Sequence, residues 1–222
     1  MHIKKNKKIL IYIFLFVVLG TLNNKNVYNI DFFAINNINV IGLSKKENRK
    51  LEQNLEILKS YNLYFLDDFL IRDLLNSNNL IEQYFIKKKY PSTLEVKINQ
   101  TDLLAYIIKD NNVSFFGSNG KLIPTNDHKI LIPYIYGNFE NEKFFELKRI
   151  IDNSKFDYTD IKNLFYFPSG RWDIEIKSNI LIKLPKNDIE KLISLSYEIL
   201  QEKEFQNVKI LDLRQTYQII IN

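Results

Sequence analysis

The sequence contains no cysteine. Thiolate zinc sites, thiol nucleophiles and disulfides are therefore excluded. It holds only two histidines, His2 and His128, and neither has a histidine neighbour at metal-ligand spacing. His128 sits in a polar stretch and reads as a solvated turn residue. No serine stands in a G-x-S-x-G elbow. The run Gly117-Ser118-Asn119-Gly120-Lys121 lacks the spacing, the hydroxyl after lysine and the following helix of a phosphate loop. The neighbouring acids Asp67-Asp68 and Glu140-Asn141-Glu142 fall where helices start, a position the helix macrodipole already favours for carboxylates. No catalytic constellation, cofactor site or metal site is expected.

Acid is also missing from the first 30 residues, which carry Lys4, Lys5, Lys7, Lys8 and Lys25. Of 31 basic residues, that leaves 26 in the remainder against 26 acids, so the net +5 belongs to the N-terminal segment alone. The rest of the chain has no electrostatic footprint for a polyanion, which argues against nucleic-acid binding.

Long apolar runs are absent except one. Residues 9–22, "ILIYIFLFVVLGTL", follow the lysine cluster. At a rise of 1.5 Å per residue this run covers ~21 Å, short of a ~30 Å hydrocarbon core. Tyr28 and snorkelling lysine stems can extend it. No small-residue cleavage pattern follows at "LGTLNNKN", so an uncleaved anchor over 9–27 is expected rather than a removed signal. Lysines before the run put residues 1–8 in the cytoplasm and the remainder outside.

Residues 33–101 change period in a readable order. Ile38 and Val40 alternate with polar neighbours up to Gly42, a short strand. Leu51, Leu55 and Leu58 form one stripe of an amphipathic helix. "NLYFLDDF" leads to a second helix, with Asp67 as its N-cap and Leu70, Leu74 and Leu75 expected to face inward. "LIEQYFIKKK" and "TLEVKI" read as two strands separated at Tyr90-Pro91-Ser92. The order is β-α-α-β-β. Lys87, Lys88 and Lys89 form the one charge run of this half, read first as the blunted edge of a sheet and alternatively as a contact for lipid headgroups.

Residues 102–222 show short strands at "LLAYII", "VSFF", "KLIP" and "ILIPYIY". Turn signals separate them at Asp110-Asn111-Asn112, Ser118-Asn119-Gly120 and Asn126-Asp127. A helix near 141–154 presents Phe144, Leu147 and Ile151 on one face. Trp172, Ile174 and Ile176 alternate with Asp173, Glu175 and Lys177, and Ile180, Ile182 and Leu184 repeat the pattern, an antiparallel hairpin. The place of Trp172 on the apolar face marks it as core. Asn187 with Glu190 suggests a capping box for a further helix carrying Leu192, Ile199 and Leu200. "VKILDL" and "TYQIII" close the chain's pattern. In the last run Tyr217, Ile219 and Ile221 suit a core face. Thr216, Gln218, Ile220 and Asn222 fall on the other, which leaves Ile220 as the exposed apolar side chain.

The fold class is thus α+β: an N-terminal transmembrane helix, a β-α-α-β-β domain, and a mostly antiparallel β domain with flanking helices. With "INVIGL", "NLYFLD", "LIEQYFIKKKYPSTLEVKI" and Ala105, residues 33–101 resemble the POTRA domain of the bacterial cell-division proteins FtsQ/DivIB. The second half resembles the same family through "FFGSNGKLIP…ILIPYIYG" and "GRWDIEIKSNILIKLP…VKILDLR". One departure is Gln100-Thr101-Asp102-Leu103-Leu104-Ala105, where the family usually carries Glu-Arg-x-Pro-x-Ala. The resemblance implies a non-enzymatic inner-membrane scaffold with its domains in the periplasm. Its implied partners are FtsB and FtsL, with FtsK as a further one, and through them the septal synthases FtsW and FtsI. It further implies that Arg214, Gln215, Thr216, Tyr217, Gln218, Ile219, Ile220 and Ile221 form an edge that accepts a strand from FtsB.

A chaperone-type POTRA protein is the alternative. Such proteins place POTRA domains before a membrane barrel, which needs at least eight strands of about 9–11 residues plus loops. Residues 102–222 also contain two helices and are too few for that.

Overall fold

The computed structural model describes residues 3–22, 33–109, 112–126, 129–202, 208–215 and 218–222. The turns expected at Asp110-Asn111 and at Asp127, and both histidines, lie outside these residues. The first element is helix α1, Ile3–Leu22. Lysines occupy its beginning, and every side chain from Ile9 to Val17 is exposed, so its apolar surface runs all round the helix. Among the described residues no helix is long and apolar enough to cross a membrane.

The chain resolves into two compact units, residues 1–77 with 83–99, and residues 78–82 with 100–222. The first contains β1 (Asn37–Ile41), α2 (Lys45–Leu55) with a 3-10 turn at Glu56–Ser60, α3 (Asp68–Asn76), β2 (Ile81–Lys89) and β3 (Thr93–Gln100). The sheet order is β1-β3-β2, with β1 parallel to β3 and Ile38 and Val40 opposite Leu94 and Val96. Those four side chains are buried together with Leu51, Leu55 and Leu58, so the stripe read from the sequence is the core stripe. Asp67 caps α3, its carboxylate accepting from the Phe69 N–H at 2.9 Å. The inward face of α3 differs from expectation: Ile71 and Leu75 are fully buried, whereas Leu70 is exposed and Leu74 only half-buried. With the cap at Asp67, the i, i+4 pair facing the sheet begins at position 71.

Gly42 ends β1 with φ +119°, and a Cβ there would lie 1.9 Å from the Ile98 carbonyl oxygen. Only glycine fits both the dihedral and the approach of the two backbones. The lysine run falls on β2, an edge of this sheet. Lys89 pairs with Glu95, and Lys88 donates to the Leu66 carbonyl at 2.6 Å.

The second unit is built on nine strands among the described residues, ordered β12-β11-β10-β9-β8-β7-β4-β5-β6. They are β4 (Leu103–Lys109), β5 (Asn112–Gly117), β6 (Leu122–Pro124), β7 (Tyr134–Tyr136), β8 (Ile161–Tyr166), β9 (Trp172–Ile176), β10 (Leu181–Lys183), β11 (Ile210–Gln215) and β12 (Gln218–Ile221). Five of the eight pairings are antiparallel. The β4–β7, β7–β8 and β10–β11 pairs are parallel. Helix α4 (Asn141–Asp152) crosses from β7 to β8 and α5 (Ile189–Gln201) from β10 to β11, the connections that parallel neighbours require.

Both helices pack on one face of this sheet. Phe144, Leu147 and Ile151 of α4 are buried against Phe116, Leu164, Trp172 and Ile174, and Ile193 of α5 joins them. Leu192, Ile199 and Leu200 border this core half-buried, and the fully buried α5 positions are Ile193 and Ser196. Trp172 is core, its ring 4.7 Å from that of Tyr166 and 5.7 Å from that of Phe139. The expected Asn187–Glu190 capping box does not form. Helix α5 starts at Ile189 behind Asp188, which is left-handed at φ 59° and makes no side-chain cap bond, so Asn187 lies too early to reach the first turn. Glu190 keeps the favourable macrodipole position.

Candidate functional site

Alternation fixes which side chains share each face of the β8–β12 half of the sheet. One cross-strand row runs Leu164, Ile174, Ile182, Leu211, Ile221. The first four are buried under the helices, and the row ends in the open at Ile221. The adjacent row on the opposite face runs Phe165, Asp173, Lys183, Asp212, Ile220. It carries charge where the first carries core.

Strand β12 is one outer edge of the sheet. Its partner β11 occupies one of its two backbone sides. The Asn222 N–H donates to the Ile210 carbonyl at 3.0 Å, and the Ile210 N–H returns a bond to Asn222 at 3.0 Å. In an antiparallel ladder such exchanged pairs alternate with pairs whose N–H and C=O groups point away. Counting back from Asn222, the backbones of Ile221 and Ile219 point outward. The residue excess between Asp212 and Gln215 lies on the β11 side, so β12 itself keeps its regular alternation. Ile219, Ile220 and Ile221 are 45%, 46% and 37% exposed. The core burial expected of Ile219 and Ile221 is therefore not found. Ile221 follows a core row past its covered end, and an edge strand has no neighbour to bury its side chains further.

Arg214 and Gln215 end β11, one strand in from the edge, and Thr216 and Tyr217 lie outside the described residues. The Arg214 guanidinium grips Asp212 through both oxygens, at 2.8 Å to Oδ1 and 2.5 Å to Oδ2. These bonds hold the Asp212 carboxyl below the ordinary range and push the Arg214 guanidinium up. Asp173 is the surprise of the row. Alternation put it on the solvent side, yet it is 3% exposed. Burial pushes its pKa up, against the attraction of Arg171, whose Nε stands 3.5 Å from Oδ1, and of Arg214 and Lys183. At that separation neither atom makes a good hydrogen bond. The recurrence of charge at Arg171, Asp173, Lys183, Asp212 and Arg214 was visible in the sequence, but only strand register joins those positions into one patch.

Among the described residues no cluster of histidine, aspartate and glutamate could hold a metal ion. The open depression between α4 and α5 is lined by Glu146, Lys186, Asp188, Glu190 and Ser194, and the Ser194 hydroxyl is spent on the Glu190 carbonyl. The features that stand out chemically are thus an open strand edge and, beside it, a charged row whose two aspartates are buried.

The first unit has the β-α-α-β-β order of a POTRA domain, and the second is a helix-backed sheet with an open edge. The FtsQ-type POTRA family model matches residues 33–99. The cell division protein FtsQ of Rickettsia prowazekii is 22% identical over 196 residues, 85% of this chain and 73% of the relative. That of Agrobacterium fabrum is 25% identical over 193 residues, 83% of this chain and 59% of the relative. Among solved structures, the major extracytoplasmic domain of the cell division protein DivIB from Geobacillus stearothermophilus matches half of this chain and 99% of its own. It does so with 14% identity and a TM-score of 0.36. The chain is thus similar to FtsQ cell-division proteins over most of its length, and residues 33–99 carry the match to the FtsQ-type POTRA domain.

Proposed function

We propose that the protein is a non-enzymatic scaffold of the division complex, held in the inner membrane through residues 9–27, with its N-terminus cytoplasmic and residues 33–101 and 102–222 outside. It receives a strand of FtsB on the outward side of β12 and thereby links FtsL and the septal synthases FtsW and FtsI, with FtsK as a further partner. One observation carries this reading: β12 offers an unpaired backbone side together with three exposed isoleucines. Main-chain bonds supply affinity in strand addition and side-chain contacts supply selectivity. The anchor is supported by α1, since apolar side chains exposed on all sides of a helix call for a hydrocarbon environment.

The test is a proline at Ile219, read by titration with a peptide of the FtsB strand. That position donates outward, so the β11–β12 ladder survives while the docking bond is lost. Abolished binding with native circular dichroism is expected. Undiminished affinity in the folded variant sinks the proposal.

A further inference from the structure

Three segments of the first unit meet where the chain enters it. The Leu63 N–H donates to the Phe33 carbonyl at 2.7 Å, Ala34 bridges Asn62, and the Asn36 N–H donates to the Ser92 carbonyl at 2.9 Å. Each segment brings aromatic rings to the junction. The Phe33 ring stands 5.9 Å from that of Tyr64 and 5.7 Å from that of Tyr90, and Tyr64 meets Phe65 at 5.1 Å. Rings gathered this way normally mark a core, but these face water: Tyr64 is 60%, Phe65 80% and Tyr90 55% exposed. They are separate from the buried core of the unit, which sits between the helices and the sheet. A contiguous exposed apolar patch of this kind marks an interaction surface.

We infer that this aromatic cluster rests on the surface of the lipid bilayer, so that the first unit is seated against the membrane rather than swinging free of it. The inference rests on the proposed anchoring of α1. Ten residues, 23–32, separate Leu22 from Phe33. Even fully extended they reach about 36 Å, so the cluster is the part of the unit tied nearest to the bilayer. Its chemistry fits that neighbour. Tyrosine and other amphipathic rings favour the headgroup level, where one edge is apolar and the other wet. Lys88 and Lys89 flank the patch through Leu66 and Tyr90, but both are engaged. Lys88 bonds to the Leu66 carbonyl and stands 3.9 Å from Asp68, and Lys89 pairs with Glu95. The two lysines flanking the rings are therefore partnered, and seating depends chiefly on the rings rather than on anionic lipid.

The absence of cysteine makes the test direct, because one introduced thiol is the only one in the full chain. A bimane label is placed at Phe65→Cys, or separately at Ile13→Cys in α1, and each protein is reconstituted into phosphatidylcholine vesicles. Lipids brominated at shallow acyl positions quench a label lying at the interface. Quenching at both sites, unchanged in high salt and reduced at position 65 by Phe33→Ser with Tyr90→Ser, is the expected result. Quenching at position 13 without quenching at 65 overturns the seating and leaves the anchor standing. Quenching at neither overturns both. A label at 65 that responds to protein concentration and not to lipid assigns the patch to contact between copies, and also overturns it.

Discussion

Ile221 stands directly across the ladder from Leu211, and the two sit in opposite surroundings: Leu211 is fully buried and Ile221 is 37% exposed. The core row ends between them. Substitutions on either side of that boundary should therefore separate stability from binding. Leu211→Ala opens a cavity and should cost about 2–5 kcal/mol in a urea titration. Ile221→Ser should leave the urea midpoint nearly unchanged and weaken a docked strand, read as a faster dissociation rate of the FtsB peptide.

The two aspartates of the charged row should titrate with opposite effects on stability. The Asp212 pKa is lowered by Arg214, so its contribution is present above the unfolded carboxylate pKa and is lost as pH falls through the folded one. The Asp173 pKa is raised by burial, so the native state takes up its proton first and gains stability on acidification. Thermal midpoints measured from pH ~6 downward should fall less steeply for Asp212→Asn than for wild type, and more steeply for Asp173→Asn. Parallel profiles for the two variants would refute the assignment.

Trp172, the one tryptophan in the sequence, should emit in the blue and resist iodide quenching, as a ring packed on Tyr166 and Phe139 must. Trp172→Ala should cost about 3–5 kcal/mol. An exposed, red-shifted emission would make it a surface anchor instead.

Gly42→Ala forces a non-glycine residue to φ +119° and drives its Cβ into the Ile98 carbonyl. Strain of this type costs roughly 1–3 kcal/mol from the dihedral alone. The expected readout is a lower denaturation midpoint for the β-α-α-β-β unit, with Trp172 fluorescence unaffected in the same concentration range.

Much of this architecture was legible in residue order. Leu51, Leu55 and Leu58 announce a helix face, and Trp172, Ile174 and Ile182 a hairpin, because burial imposes its period on the sequence wherever one face is covered. Asp67 announces its helix because few residues satisfy a free N–H so well. What failed depended on partners remote in sequence or, in one case, on a local turn. Asp173 looks like a solvent residue until Lys183, Asp212 and their arginines close around it. Ile219 and Ile221 alternate as core residues do, yet lie beyond the last strand that could cover them. Asn187 has the composition of a cap, and the left-handed turn at Asp188 displaces the helix start by one residue.

The sheet's other outer strand, β6, has different prospects. It is three residues long and finishes at Pro124, which has no N–H to offer. Pairing can therefore extend from one side of the sheet only. A sheet with two receptive edges could extend head to tail without limit, whereas a sheet with a single one stops after one added strand. Whatever strand docks on β12 thus completes the assembly at that sheet, and if two copies meet there, they close as a symmetric pair and not as a fibre.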